Sequence, residues 1–97
     1  MNIEVTMKEE TAVLRPEGWL DTETAPALGE ALDALPADVK AIELDCEKLA
    51  YVSSAGLRQI VAAYKKMNGA LTLRHVSDEI RHVLTMTGLA SRLTIEP

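Results

Sequence analysis

Two adjacent hydroxyls, Ser53 and Ser54, stand in the run Tyr51-Val52-Ser53-Ser54-Ala55-Gly56-Leu57-Arg58. The run follows an apolar, strand-like stretch and opens the best amphipathic helical pattern in the chain. A serine at such a place accepts a hydrogen bond from the backbone N–H groups that a starting helix leaves unpaired. Those N–H groups and the positive end of the helix dipole also favour an anion, so a phosphate carried there has a large local effect. Two small residues, Ala55 and Gly56, sit where the chain must change direction. Read as pattern alone, both serines serve equally as plain caps of a tight turn.

The other reactive groups are sparse. Asp21 precedes the first helical pattern and reads as a helix cap or a contact; Asp45 ends a strand-like run and reads equally as a solvated strand residue. His75 and His82 lack metal-ligand spacing and a cysteine partner, which gives them surface or capping roles. The single cysteine, Cys46, alternates with Ile42 and Leu44 and reads as a buried thiol. Met7, Met67 and Met86 read as core or loop filler, not as a cofactor site, and Lys65-Lys66 as a solvated helix face. The chain has no Gly-x-Ser-x-Gly elbow, Cys-His pair or phosphate-cradling glycine loop. A serine nucleophile needs a nearby base, and neither histidine is placed by sequence to serve. No catalytic residue, metal or cofactor is expected.

Composition narrows the class further. A net charge of -5, with Lys65-Lys66 as the only basic pair, argues against nucleic acid as a partner. The lone cysteine excludes an intramolecular disulfide and fits a reducing compartment. No apolar run approaches the roughly 18 residues of a membrane span, and the N-terminus does not resemble a signal peptide. A cytoplasmic protein with one domain over residues 1–97 and no membrane contact is expected. With Trp19, Tyr51 and Tyr64 as the only aromatics, the core must be built from Leu, Ile, Val, Ala and Met.

The elements that must position the serine turn follow from periodicity. Residues 2–7 alternate, with Ile3, Val5 and Met7 on the inward face of a half-buried strand. A second strand covers 11–15 and ends at Pro16. A helix then starts at an Asp21 or Thr22 cap, with Thr24 ranked behind them, carries Ala25, Leu28, Leu32 and Leu35 at helical spacing, and stops at Pro36. Residues 40–46 are a strand, joined to the serine turn through Glu47, Lys48 and Leu49. The second helix buries Leu57, Ile60, Val61, Tyr64 and Met67 and ends in a left-handed cap at Asn68-Gly69. A strand over 70–74, a third helix capped by Ser77 and closed by Gly88, and a short strand at Leu93 and Ile95 complete the order β-β-α-β-α-β-α-β. Strands alternating with helices imply parallel neighbours in a mixed sheet. Trp19 reads either as a contact anchor or as a cover for the sheet edge.

The runs Glu43-Leu44-Asp45-Cys46 and Tyr51-Val52-Ser53-Ser54-Ala55-Gly56-Leu57 resemble the signature of STAS domains, in particular the bacterial anti-sigma-factor antagonists. In that family an acidic residue near a strand end precedes an apolar–Asp–Ser–Ser/Ala–Gly–Leu turn. Gly18-Trp19-Leu20-Asp21 resembles the family's Gly-x-Leu-Asp element, and Asp78 to Leu93 its last helix and strand. The family's phosphorylated serine falls on Ser54, its usual aspartate on Ser53 and its upstream acidic position on Asp45. Serine caps a helix as well as aspartate does, so the departure at Ser53 keeps the turn and removes a carboxylate.

The resemblance implies an α/β STAS fold, a mixed sheet of four to five strands packed with helices. It also implies a non-catalytic partner-switching module regulating sigma-dependent transcription. Such a module binds an anti-sigma factor with serine kinase activity, is released when Ser54 is phosphorylated, and is restored by a phosphatase of the PP2C type. It is expected to be a monomer in isolation. Partner contacts are expected at Asp21, Asp45, Ser53, Ser54, Ala55, Gly56 and Arg58. Ser-Ser-Ala-Gly-Leu also resembles members that serve, without phosphorylation, as adaptor subunits of a transporter ATPase or a sensory complex.

Overall fold

The computed structural model describes residues 1–96 of the chain. Strands β1 (Asn2–Lys8) and β2 (Thr11–Leu20) form an antiparallel hairpin, in register from Asn2↔Glu17 to Lys8↔Thr11. Helix α1 (Ala25–Asp33) leads to β3 (Ala41–Asp45) and β4 (Leu49–Val52); helix α2 (Ser54–Lys66) then leads to β5 (Leu71–Arg74), helix α3 (Asp78–Met86) and β6 (Thr94–Ile95). Five strands lie in the order β1-β2-β3-β5-β6, parallel from β2 onward, and β4 adds parallel to the outer part of β2. The architecture is a mixed α/β sheet packed with helices, as expected. It has six strands among the described residues, not four to five.

The extra strand is β4. Its four residues are buried, exposed, exposed, buried, a pattern without the period of two that marks a strand in sequence. Its partner is the part of β2 beyond Pro16, where the sequence reading ended that strand. Pro16 pairs with Ile3 of β1 and lies past Leu14, the last β2 residue paired with β3. Its missing N–H therefore interrupts no ladder bond toward β3. A register irregularity between Gly18 and Trp19 then redirects the strand, with Gly18 at a φ of 91°.

The core is aliphatic. Leu14, Leu20, Leu28, Ile42, Ile60, Leu73 and Leu84 are almost completely buried, drawn from three strands and all three helices. Each contributes roughly 1.5–3 kcal/mol by leaving water. One helix face and one strand differ from their periodic patterns. On α2 the buried residues are Gly56, Leu57, Ile60 and Ala63, while Val61 and Tyr64 are only half-buried. Strand β1 is an edge whose alternation is not covered: Ile3 is half-buried, and Val5 and Met7 are 43% and 46% exposed. The pattern on β1 matches its partner strand's face, but β1 is the edge of the sheet and is only partly covered there.

This asymmetry is testable within a single register pair. Val5 faces Leu14 across the hairpin, and Leu14 is fully buried. Leu14→Ala is expected to cost about 2–5 kcal/mol in urea unfolding, and Val5→Ala under about 1 kcal/mol.

Candidate functional site

The serine turn is built where two parallel strands end side by side. Trp19↔Tyr51 and Leu20↔Val52 pair, and the next N–H, that of Ser53, donates to the Leu20 carbonyl at 2.8 Å. Ser53 stays extended, with a ψ of 176°, and its Oγ accepts the Gly56 N–H at 3.4 Å. Its carbonyl accepts the first intrahelical bond, from Leu57 at 2.9 Å. Ser53 is thus the N-cap. Ser54 is the first helical residue and is exposed, with its hydroxyl not needed for the cap.

Gly56 holds the helix against the strand. A Cβ there would lie 2.8 Å from Leu20 Cγ and 2.9 Å from the Leu20 carbonyl oxygen. Gly56 itself is buried. Its small size serves internal packing, which brings the helix start onto the end of β2.

Asp21 directly follows that strand end. Its Oδ1 accepts the N–H groups of Glu23 and Thr24 at 3.0 and 3.1 Å, and its own N–H donates to Thr24 Oγ1 at 2.8 Å. These bonds, led by the one from the Thr24 N–H, hold its carboxyl below the usual carboxylate range. They close residues 21–24 into a turn, so α1 starts at Ala25 with Thr24 in the N-cap position. The caps expected at Asp21 or Thr22 are corrected accordingly. Beside this turn, Trp19 and Tyr51 form an exposed aromatic pair with ring centroids 5.1 Å apart.

Asp45 lies elsewhere. It sits beside Arg15, whose Nε is 3.3 Å from its Oδ2. The five remaining residues of β2, on the order of 20 Å of extended chain from Arg15 to Asp21, separate that point from Asp21. Its Oδ1 accepts the Glu47 N–H at 3.1 Å and meets His75 Nδ1 at 2.8 Å. Burial alone would raise this carboxyl, but the bonds from His75 and Glu47 and the charges of His75 and Arg15 outweigh it and hold the pKa low. Asp45 in turn raises His75, first by the hydrogen bond and then by its charge. The ligand atoms of Asp45, Glu47 and His75 lie within 4.8 Å of one another, but the Arg15 guanidinium already supplies a counter-charge to Asp45. His75 is exposed, in line with the surface or capping role its sequence context gives it; its pairing with Asp45 is what the sequence does not show, and the register Asp45↔Arg74 between β3 and β5 is the signal that places it. Cys46 is buried, and burial followed by the Asp45 charge pushes its thiol up to about 12, so it is no nucleophile.

Along α2 an open groove of about 530 Å³ runs away from the serine turn toward the chain after α3. Ser54, Leu57, Arg58, Val61, Lys65 and Leu89 line it. Val61, expected in the core, is half-buried there instead. Among the described residues no helix is long and apolar enough to cross a membrane.

The family model described as "Mlab, STAS domain" matches residues 3–95. The chain belongs to the STAS domain family. A candidate anti-sigma factor antagonist from Thermotoga maritima superposes with a TM-score of 0.89 at 19% identity, over 98% of this chain and 86% of that one. An anti-sigma factor antagonist from Mycobacterium paratuberculosis gives 0.88 at 26% identity, over 99% and 85%. The phosphorylated form of SpoIIAA, a Bacillus cell fate determinant, gives 0.74 at 20% identity, over 97% and 90%.

Two outcomes follow from the site's geometry. Gly56→Ala must push against Leu20 backbone as well as side chain, and is expected to lower stability by about 1–3 kcal/mol in thermal melts. The His75–Asp45 pair should make stability pH-dependent. A raised histidine contributes fully below about pH 6.5 and loses its contribution as pH rises through its folded-state value. A lowered aspartate contributes above about pH 3.8 and loses its contribution as pH falls through its folded-state value. The melting-temperature difference between wild type and His75→Gln is therefore expected to be largest between about pH 4 and 6.5 and to shrink toward pH 9; a difference that grows with pH would contradict the pairing.

Proposed function

We propose that this protein is an anti-sigma-factor antagonist: a non-catalytic, cytoplasmic module that binds an anti-sigma factor with serine kinase activity and is released by phosphorylation of Ser54. The observation that carries the reading is the division of labour in the turn. Ser53 caps the helix while Ser54 stands exposed beside it. A relative of the same fold has been solved in both phosphorylated and unphosphorylated forms.

In the proposed reaction Ser54 Oγ attacks the γ-phosphorus of ATP. The Oγ–P bond forms, the bond from the γ-phosphorus to the bridging oxygen breaks, ADP leaves, and the hydroxyl proton passes to a base of the kinase. A PP2C-type phosphatase hydrolyses the ester and restores the serine. The phosphate brings about -1.5 to -2 of charge. At an exposed helix start this is favourable by roughly 0.3–1 kcal/mol, so the fold tolerates it. Pressed into a complementary interface, the same charge costs roughly 2–5 kcal/mol, or about 30- to 4,000-fold in affinity. The partner loses more than the fold gains.

The contact surface centres on Ser54, Ala55 and Arg58, with Asp21 at its rim. Ser53 and Gly56 act from beneath by fixing the turn. Asp45 acts from farther out, by holding the His75 loop. A second reading, an adaptor subunit that is never phosphorylated, is favoured by one feature: the N-cap of α2 is Ser53, where the family's usual aspartate would carry a carboxylate.

Incubation with a cognate kinase and ATP, followed by intact-mass measurement, distinguishes the two. One phosphate is expected on wild type and none on Ser54→Ala. Ser54→Asp is expected to keep its melting transition while losing the partner in a pull-down. Absence of any phosphate on wild type would favour the adaptor.

A further inference from the structure

If Ser54 is phosphorylated as proposed above, the next question is what receives the phosphate within the domain. Helix α2 contains no acidic residue and three cations, Arg58, Lys65 and Lys66, in a chain whose net charge is -5. Lys66 is engaged, donating to the Leu32 carbonyl at 3.0 Å. Arg58 and Lys65 are exposed and line the groove that begins at Ser54. Among the described residues neither lies within ion-pair distance of a carboxylate, whereas Arg15, Lys40 and Arg74 do. A cation only four residues into a helix gains nothing from the dipole, which favours positive charge at the other end. Neither local pairing nor helix stability explains Arg58.

Its spacing does. Ser54 and Arg58 are i and i+4, which places them one above the other on one helix face, with Cβ atoms about 6 Å apart. Both line the same groove. A guanidinium offers two parallel N–H donors that match two phosphate oxygens. Lys65 is eleven residues from Ser54, about 16 Å along the helix, and is out of reach.

We propose that Arg58 is the intramolecular receptor of the phosphate on Ser54, so that modification subtracts the cation at the head of the α2 groove as well as adding negative charge. The unmodified groove presents an apolar floor of Leu57, Val61 and Leu89 under a cationic rim. The modified groove presents the same floor with Arg58 occupied and a net negative head. Release then follows from lost attraction together with new repulsion. The helix start meanwhile keeps its cap, because Ser53 and not Ser54 makes it.

The test uses full-length protein carrying phosphoserine at position 54, installed during translation so that no kinase is needed. The second ionisation of the phosphate, near pH 6 for a free phosphoserine, is followed by phosphorus NMR in three proteins: otherwise wild-type, Arg58→Gln and Lys65→Gln. Circular dichroism confirms that each is folded. Pairing with Arg58 is expected to hold the ionisation about half a pH unit lower in wild type than in Arg58→Gln, with Lys65→Gln matching wild type. Equal values in wild type and Arg58→Gln, or an equal displacement in both variants, would overturn the proposal. Failure of a kinase to modify wild-type Ser54 would instead overturn the reading of the previous subsection and leave this measurement standing.

Discussion

The close approach of α2 to the end of β2 is the constraint on which the rest of the site depends. Gly56 has Leu20 where its Cβ would be, and the Ser53 N–H is tied to the Leu20 carbonyl. Together these contacts fix both the position and the direction of the helix start. The chain leaves β4 extended, turns at Ser53 and enters the helix within one residue. Ser54 then has one place to go, outward, because the inner side of the turn is filled by Leu20. A larger residue at 56 would lift the helix and with it the groove. Surface chemistry at Ser54 is thus underwritten by packing beneath it.

Charge is arranged in two separate places. The Arg15–Asp45–His75 cluster joins β2, β3 and the loop after β5, and it balances itself internally. The α2 groove does not: its cations face solvent on a chain that is acidic as a whole. Unbalanced charge on a surface costs little and remains available to a partner, whereas balanced charge is already committed. This contrast separates the structural carboxylate from the proposed interaction surface more clearly than the residue types do.

Much of this was legible in the sequence, for reasons that differ by element. The helix over 54–66 and the parallel strands were readable because burial imposes strict periods on Leu57, Ile60, Ile42 and Leu44. The serine turn was readable because caps have a defined chemistry. What escaped was whatever depends on neighbours distant in sequence. Strand β4 is visible only once β2 is known to continue past Pro16. The exposure of Val5 and Met7 depends on β1 lying at the edge of the sheet. The pairing of His75 with Asp45 depends on strand register. Asp21 and Asp45 both carry a carboxylate near a strand end, and only topology shows that they lie far apart along β2.

In the function proposed above, modifying Ser54 rewrites a surface and leaves the domain beneath it intact. Amide hydrogen exchange on the phosphoserine-54 protein against unmodified protein tests it most directly. Unchanged protection is expected in β2, β3, β5 and the body of α2, with changes confined to residues 53–58 and the groove. Loss of protection along β2 and across α2 would show that the phosphate opens the fold, and would contradict it.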